Sequence, residues 1–291
     1  MKKIITITGD LGSGKSTVSN LLKEKLNYDY IYTGKIQREI ADRYKMTTLE
    51  LNKYAETHPQ IDAEIDATFK SLKRSTDLIV DSRMAWFFLP QSFKVYLKTN
   101  LLVSANRISG DKQRRNETYA SNEEASRNII ERKTSENKRY KALYGADSSD
   151  PFSFNLTIDT SFVTPERVAG IINAQYEAWL ARGECFKAFI SPLNLYPTRP
   201  AHLLDKDTCQ ALRNDMATNG YNPEHPILIV RNNSFDYILD GHKRTAAAIH
   251  NRIDLIPAIY ADDTLPSADP ALLGEWEEFN TFKYAIYPIQ L

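Results

Sequence analysis

Gly9-Asp10-Leu11-Gly12-Ser13-Gly14-Lys15-Ser16 fits G-x-x-x-x-G-K-[ST], the phosphate-binding P-loop. The flanking residues carry as much information as the motif. Ile4, Ile5, Thr6, Ile7 and Thr8 form a β-branched run that predicts a buried strand. After the loop, Val18, Leu21, Leu22 and Leu26 recur at helical spacing. Glycines let the backbone curl with its N–H groups turned inward, and the helix start adds a partial positive charge. The expectation is a polyphosphate cradle built from Gly9, Gly12, Ser13, Gly14, Lys15, Ser16 and Thr17. In it Lys15 reaches the β- and γ-phosphates and the Ser16 hydroxyl ligates Mg²⁺.

The chain has 291 residues, enough for two domains of ordinary size. Its 37 Lys+Arg balance 37 Asp+Glu, so no global charge pulls it toward nucleic acid or an anionic membrane. The two cysteines, Cys185 and Cys209, form no metal or redox motif and read as small packed side chains. The apolar run after Met1-Lys2-Lys3 stops at Gly9-Asp10, too soon for a signal peptide, and no stretch has the length of a membrane-spanning helix. A cytoplasmic enzyme is the expectation.

Four apolar strands can be placed at residues 4–8, 78–81, 93–97 and 156–159, separated by helical stretches. That alternation predicts an α/β fold with a parallel sheet flanked by helices and the ligand beyond the carboxyl ends of the strands. Asp81-Ser82-Arg83 follows the second of these strands. Asp81 is therefore placed to help hold Mg²⁺, and Arg83 to meet a second substrate's phosphate. Gly34 reads as a turn before a new helix with Arg38 one turn inside it, where it either grips a phosphate or is solvated. Asp62 and Asp66 share a helix face that receives a sugar or base amine, or simply faces solvent. Residues 111–117 have no core face, and the helix read at 123–140 carries Arg127, Arg132 and Arg139. A polar loop flanked by arginines suits a lid over transferring phosphate, although Arg114, Arg115 and Arg127 also read as plain solvated charges. Thr164 is a good N-cap and Pro165 fits the first position of a helix ending near Arg182-Gly183, where the domain boundary is placed.

Taken in order, the P-loop, Thr33-Gly34-x-x-x-Arg38, Asp62, Asp81-Ser82-Arg83, Arg107-Ile108, Arg132 through Arg139-Tyr140, Tyr144-Gly145-x-Asp147 and Ile158-Asp159-Thr160 resemble the cytidylate-kinase-like branch of nucleoside monophosphate kinases. The resemblance covers residues 1 to about 178. It implies transfer of the γ-phosphoryl of ATP, with Mg²⁺, to a nucleoside monophosphate, CMP or dCMP first. Gly34, Arg38, Asp62 and Arg83 would then face the acceptor, while Lys15, Arg107, Arg132 and Arg139 neutralise the phosphoryl in flight. Larger bacterial cytidylate kinases follow the equivalent of Arg83 with an aspartate that helps read cytosine. Met84 stands there in this chain, which leaves the base open.

Residues 183–291 read as a second, smaller α+β domain after a first domain at 1–182. Strands are expected at 188–192, 227–230, 237–239 and 256–260, helical turns through Leu204, Ala211, Leu212 and Met216, and a turn at Asn232-Asn233-Ser234. Asp240-Gly241-His242-Lys243-Arg244 puts a glycine at a strand-to-helix turn with His and Arg in the first helical turn, either an anion site or a capped helix with exposed charges. With Pro226 before it and Ile256-Pro257-Ala258 after, the region resembles the ParB/sulfiredoxin superfamily. There the equivalents of Asp240, Gly241, His242 and Arg244 hold nucleotide phosphates. Thr198-Arg199 stands where the serine-kinase branch has an acid, and Gly241 where sulfiredoxins have their reactive cysteine, so neither chemistry is expected. The aromatic-rich tail after Ala271 reads as packing. The alternative to a kinase is a nucleotide-gated switch whose ParB-like domain binds CTP or ADP, DNA or a protein. No arginine-rich arm supports nucleic acid, and the oligomeric state is open.

Overall fold

A computed structural model describes residues 3–72, 76–110, 119, 121–185, 187–199, 204–232 and 235–262. The chain divides into two compact units, one of residues 1–156 with 164–185 and one of 157–163 with 186–291.

In the first unit the β-branched run forms β1 (Ile4–Gly9), buried along its whole length. It lies between β3 (Leu78–Asp81) and β4 (Phe93–Lys98), both parallel to it, with Ile7 opposite Asp81 and Gly9 opposite Leu97. Strand β2 (Asp29–Tyr32), not placed from sequence, pairs in parallel with β3 and completes the order β2-β3-β1-β4. The parallel sheet with flanking helices is thus an α/β fold. Because the strands run the same way, Gly9, Asp81 and Tyr32 all reach their carboxyl ends, the edge at which such sheets bind ligands.

Helix α1 (Lys15–Leu26) leaves the P-loop, with Val18 and Leu22 buried. Helices α2 (Thr33–Arg43), α3 (Thr48–Ala55) and α4 (Gln60–Leu72) follow β2. They close on a core of their own, in which Ile40, Leu51 and Ile61 are buried together. Gly34 is the second residue of α2 rather than a turn before it, since the chain passes from β2 straight into the helix. After the short α5 (Ala85–Phe88) and β4 come α6 (Leu101–Ser109) and α7 (Asn122–Tyr144), a 23-residue helix longer than the sequence reading at both ends. Ser121 caps α7 by accepting the Glu124 N–H, and Gly145 ends it in the left-handed region. Helix α8 (Pro165–Arg182) begins as expected, with Thr164 accepting the Arg167 N–H and Pro165 first. Val168, Ile172 and Tyr176 form its buried stripe.

In the second unit, strand β5 (Leu156–Asp159), which enters it at Thr157, pairs in parallel with β6 (Ala188–Ile190). The order continues through β10 (Ile256–Tyr260), β8 (Ile227–Asn232), β9 (Phe235–Asp240) and β7 (Leu195–Tyr196). Helices α9 (Lys206–Asn219) and α10 (His242–His250) contribute Met216 and Ala246–Ala248 to one core with Ile227, Ile229 and Ile238. Asp236, fully buried in that sheet, takes both arms of the Arg231 guanidinium at 2.8 and 3.2 Å.

The expected lid loop at 111–117 with Arg114 and Arg115, the turn residues Asn233-Ser234, and the aromatic tail after Ala271 lie outside the described residues. Among the described residues, no helix is long and apolar enough to cross a membrane.

Candidate active site

The P-loop departs from β1 through a backbone that only glycine supports. Gly9 has φ +146°, and a Cβ there would lie 2.1 Å from the Leu97 carbonyl oxygen. Gly14, at φ +80°, stands at the N-cap of α1, where no side chain caps the helix and no acid occupies the first turn. The first N–H groups of α1 are therefore left for an anion, as the motif requires. Gly12, Gly14, Lys15, Ser16 and Thr17 line a cleft of about 680 Å³. Gly9 and Ser13 do not line it. They shape the loop, with Ser13 Oγ donating to the Asp10 carbonyl at 2.8 Å. Lys15 Nζ folds back onto the carbonyls of Gly9 and Asp10 at 3.1 and 2.6 Å, a cation parked where the loop turns.

Asp81 closes the floor. Its Oδ2 accepts from Ser16 Oγ at 3.2 Å and from the Tyr30 hydroxyl at 3.3 Å. Burial raises the Asp81 pKa, against the opposing pull of Lys15, Ser16 and Arg83. Burial and the Asp81 charge push the Tyr30 hydroxyl upward. Among the described residues no group of three or more His, Cys, Asp or Glu side chains is placed to hold a metal. A hydroxyl and one carboxylate are nonetheless the hard oxygen donors that P-loop sites offer Mg²⁺, the remaining ligands coming from phosphates and water. The donor set fits that ion.

Asp10, within the loop, is paired rather than free to repel phosphate. Its carboxylate takes Lys133 Nζ and the Tyr96 hydroxyl, each at 2.8 Å, and the Thr99 N–H at 3.0 Å. Burial opposes its charge, but Lys133 and these donors hold the carboxyl well below the usual range. Lys133 comes from α7 and ties that helix to the P-loop.

Four arginines line the same cleft, together with the acids Asp42, Asp62 and Asp66. Arg38, Arg83, Arg107 and Arg132 all face it. Arg38 donates to the Tyr32 hydroxyl at 2.8 Å and lies over that ring, Arg107 reaches the Gly12 carbonyl at 3.2 Å, and Arg83 donates to the Gly9 carbonyl. Gly34 lines the cleft where a Cβ would meet the Tyr32 ring at 2.7 Å. Two sequence-expected residues meet each other instead of a phosphate position. Arg139, 4% exposed, does not line the cleft; its Nε stands 3.0 Å from Asp62 Oδ2, and its other nitrogens donate to the Asn52 carbonyl and side chain. Asp62 does line it, with its pKa raised by burial against the pull of Arg139.

Glu136 was not found from sequence. It is buried on α7 and bound to Arg83 and Arg132 at 3.1 and 3.0 Å. Burial disfavours its charge, yet these arginines bring its pKa down from 4.5 to about 2. The signal was present as an acid four residues after Arg132 and three before Arg139, on their shared face.

Residues 4–162 match the Cytidylate kinase-like family. The chain belongs to that family. The cytidylate kinase of Sulfurisphaera tokodaii is 36% identical over 182 residues, covering 62% of this chain and 98% of that protein. The cytidylate kinases of Pyrococcus furiosus and Sulfolobus acidocaldarius are 35% and 38% identical, over 86% and 91% of their lengths and 59% and 58% of this chain. This family member is a kinase, a phosphotransferase of the nucleoside monophosphate kinase type.

The anion site expected in the second unit is partly committed to internal bonds. Gly241, at φ +101°, starts α10 with its Cα pressed toward Ile227, where a Cβ would meet Cγ2 at 2.4 Å. His242 is buried, and its Nε2 accepts the Thr198 N–H at 3.1 Å. Burial, then the Arg199 charge, lower its pKa from 6.5 to about 4, so it is neutral at pH 7. Arg244 donates to the His225 and Pro226 carbonyls at 2.6 and 2.7 Å and to Asp240 at 2.7 Å. Asp240 is the exposed member of the group.

Proposed function

We propose that the first unit transfers the γ-phosphoryl of ATP, with Mg²⁺, to CMP or dCMP. The observation that carries this reading is one cleft of about 680 Å³ lined both by P-loop residues and by Arg38, Arg83, Arg107 and Arg132. Residues Lys15, Arg107 and Arg132 take the transferring group, and Arg38, Arg83, Gly34 and Asp62 the acceptor. Mg²⁺ at Ser16 and Asp81 would neutralise charge on the ATP phosphates. The acceptor phosphate is already an anion, so no general base is required; positioning and charge stabilisation do the catalysis. The cytidylate kinase names of the relatives favour a cytidine acceptor, while Met84 in place of the bacterial aspartate means that cytosine is read by other groups.

The second unit is read as a ParB/sulfiredoxin-like domain that binds nucleotide phosphates at Asp240-Gly241-His242-x-Arg244, supported by the left-handed glycine at the start of α10. Phosphate there would have to draw Arg244 off its carbonyl partners. A domain division near residue 183 is part of the same reading.

Labelled ATP and Mg²⁺ incubated with the full chain across a panel of nucleoside monophosphates and serine tests the assignment. Transfer to CMP or dCMP is expected. Lys15→Ala should abolish it, and Arg83→Ala should mainly raise the acceptor KM. ATP binding without turnover of any acceptor would replace the kinase reading with the switch.

A further inference from the structure

Glu136 is 4% exposed and does not line the cleft, yet it touches two residues that do. Its Oε2 holds Arg83 Nε at 3.1 Å and its Oε1 holds Arg132 Nε at 3.0 Å. Asn52 Nδ2 adds a contact to Oε1 at 3.4 Å. The two arginines come from separate places, Arg83 from the loop after β3 and Arg132 from α7. One carboxyl group is their common anchor.

The choice of nitrogen matters. In both arginines the carboxylate takes Nε, the inner nitrogen, which leaves the terminal nitrogens for other partners. Those of Arg132 have long contacts, to Thr48 Oγ1 at 3.4 Å and Gln37 Oε1 at 3.5 Å. Arg83 uses one terminal nitrogen on the Gly9 carbonyl, at the base of the P-loop. Both anchored arginines line the same cleft as the P-loop.

We propose that Glu136 is a positioning residue that clamps Arg83 and Arg132 by their Nε atoms, setting the Arg83 fork for the acceptor phosphate and the Arg132 fork for the phosphoryl group transferred to it. The proposal rests on the kinase reading above. Without the clamp each arginine is a long side chain free to choose rotamers, and a misplacement of about 1 Å costs about 100-fold in rate.

The test is Glu136→Gln in the full chain. Gln keeps the volume but puts an NH₂ where one of the two oxygens stood, so one of the two arginines, which bond different oxygens, faces a donor instead of an acceptor. With CMP as acceptor, kcat should fall about 100-fold while the KM for ATP stays within threefold. In the Arg132→Ala background the same change should cost much less, because one of its two clients is gone. A second readout needs no turnover. The ¹⁵N–¹H Nε signals of Arg83 and Arg132, assigned with Arg→Lys variants, should both be protected from exchange in the wild type, and at least one should be lost in Glu136→Gln. Both signals persisting with kcat within threefold would overturn the proposal. So would a parallel loss of kcat and ATP affinity with a lowered melting temperature, which marks a merely structural role. If the wild type moves no phosphoryl to any nucleotide, the kinase reading fails on its own, and the Nε signals still decide whether the clamp exists.

Discussion

Replacing Gly9 by alanine should cost far more stability than replacing Gly14, although both belong to the same loop and both have positive φ. At Gly9 the new Cβ would stand 2.1 Å from the Leu97 carbonyl oxygen, 2.7 Å from its nitrogen and 2.8 Å from its carbonyl carbon. All three are backbone atoms of β4, so no side chain can swing aside. An ordinary contact begins near 3.4 Å, so β1 and β4 must part by more than 1 Å at this point. The bond from Asp10 N–H to that same Leu97 oxygen, 2.9 Å long, would be lost with the shift. Backbone strain contributes about 1–3 kcal/mol and the forced displacement about 1–3 kcal/mol, together about 4 kcal/mol. That is a large share of the roughly 5–15 kcal/mol of a typical domain. At Gly14 nothing lies within 4 Å of the new atom, so only the left-handed backbone is penalised, by about 1–2 kcal/mol. Gly12, whose Cβ would meet Ser104 Oγ at 2.7 Å and the Ser104 carbonyl at 2.9 Å, should fall between them. Urea unfolding read by the fluorescence of Trp86 and Trp179, both in the first unit, gives the three values. A Gly9→Ala midpoint no lower than that of Gly14→Ala would refute the reasoning.

Two further outcomes follow from the buried acid of the first unit and the buried imidazole of the second. Asp81→Asn keeps the shape that receives Ser16 and Tyr30 but removes the charge, so half-maximal activity should require about 10–100-fold more Mg²⁺, measured by titrating the metal at fixed ATP. His242 should make the second unit acid-labile. Unfolded, the imidazole takes its proton near pH 6.5, and folded, only near 4, so between those values the unfolded chain binds more protons and stability rises with pH. About 3 kcal/mol should be lost as pH falls from 6.5 to 4, with no further loss from this group below 4. Denaturation followed through the methyl signals of Ile229 and Ile238 reads it, and His242→Gln should flatten the slope.

What could be read in advance was what neighbours along the chain determine. The P-loop needs φ > 0 at fixed positions and a cation immediately after, requirements that eight consecutive residues state by themselves. Gly241 is of the same sort, a left-handed turn between a strand and a helix. Strand β2 escaped because Asp29-Tyr30-Ile31-Tyr32 is short, polar at its first residue and only half-buried. Its extended form comes from pairing with β3, some 49 residues away in the register Asp29↔Leu78. Gly34 was misread for the same reason, since a strand running directly into α2 leaves no room for a turn. The arginines show the limit most sharply. Type and spacing put Arg132 and Arg139 on one helix face, and that much holds. Which of them meets the cleft goes with the acid each one pairs: Arg139 is buried against Asp62, on α4, while Arg132, paired with Glu136, lines the cleft. A guanidinium has five donors and goes where unpaired oxygens are, so its role belongs to the partner. For this kinase the arginines could be listed from the chain, but the division of labour among them is set by carboxylates that no local pattern singles out.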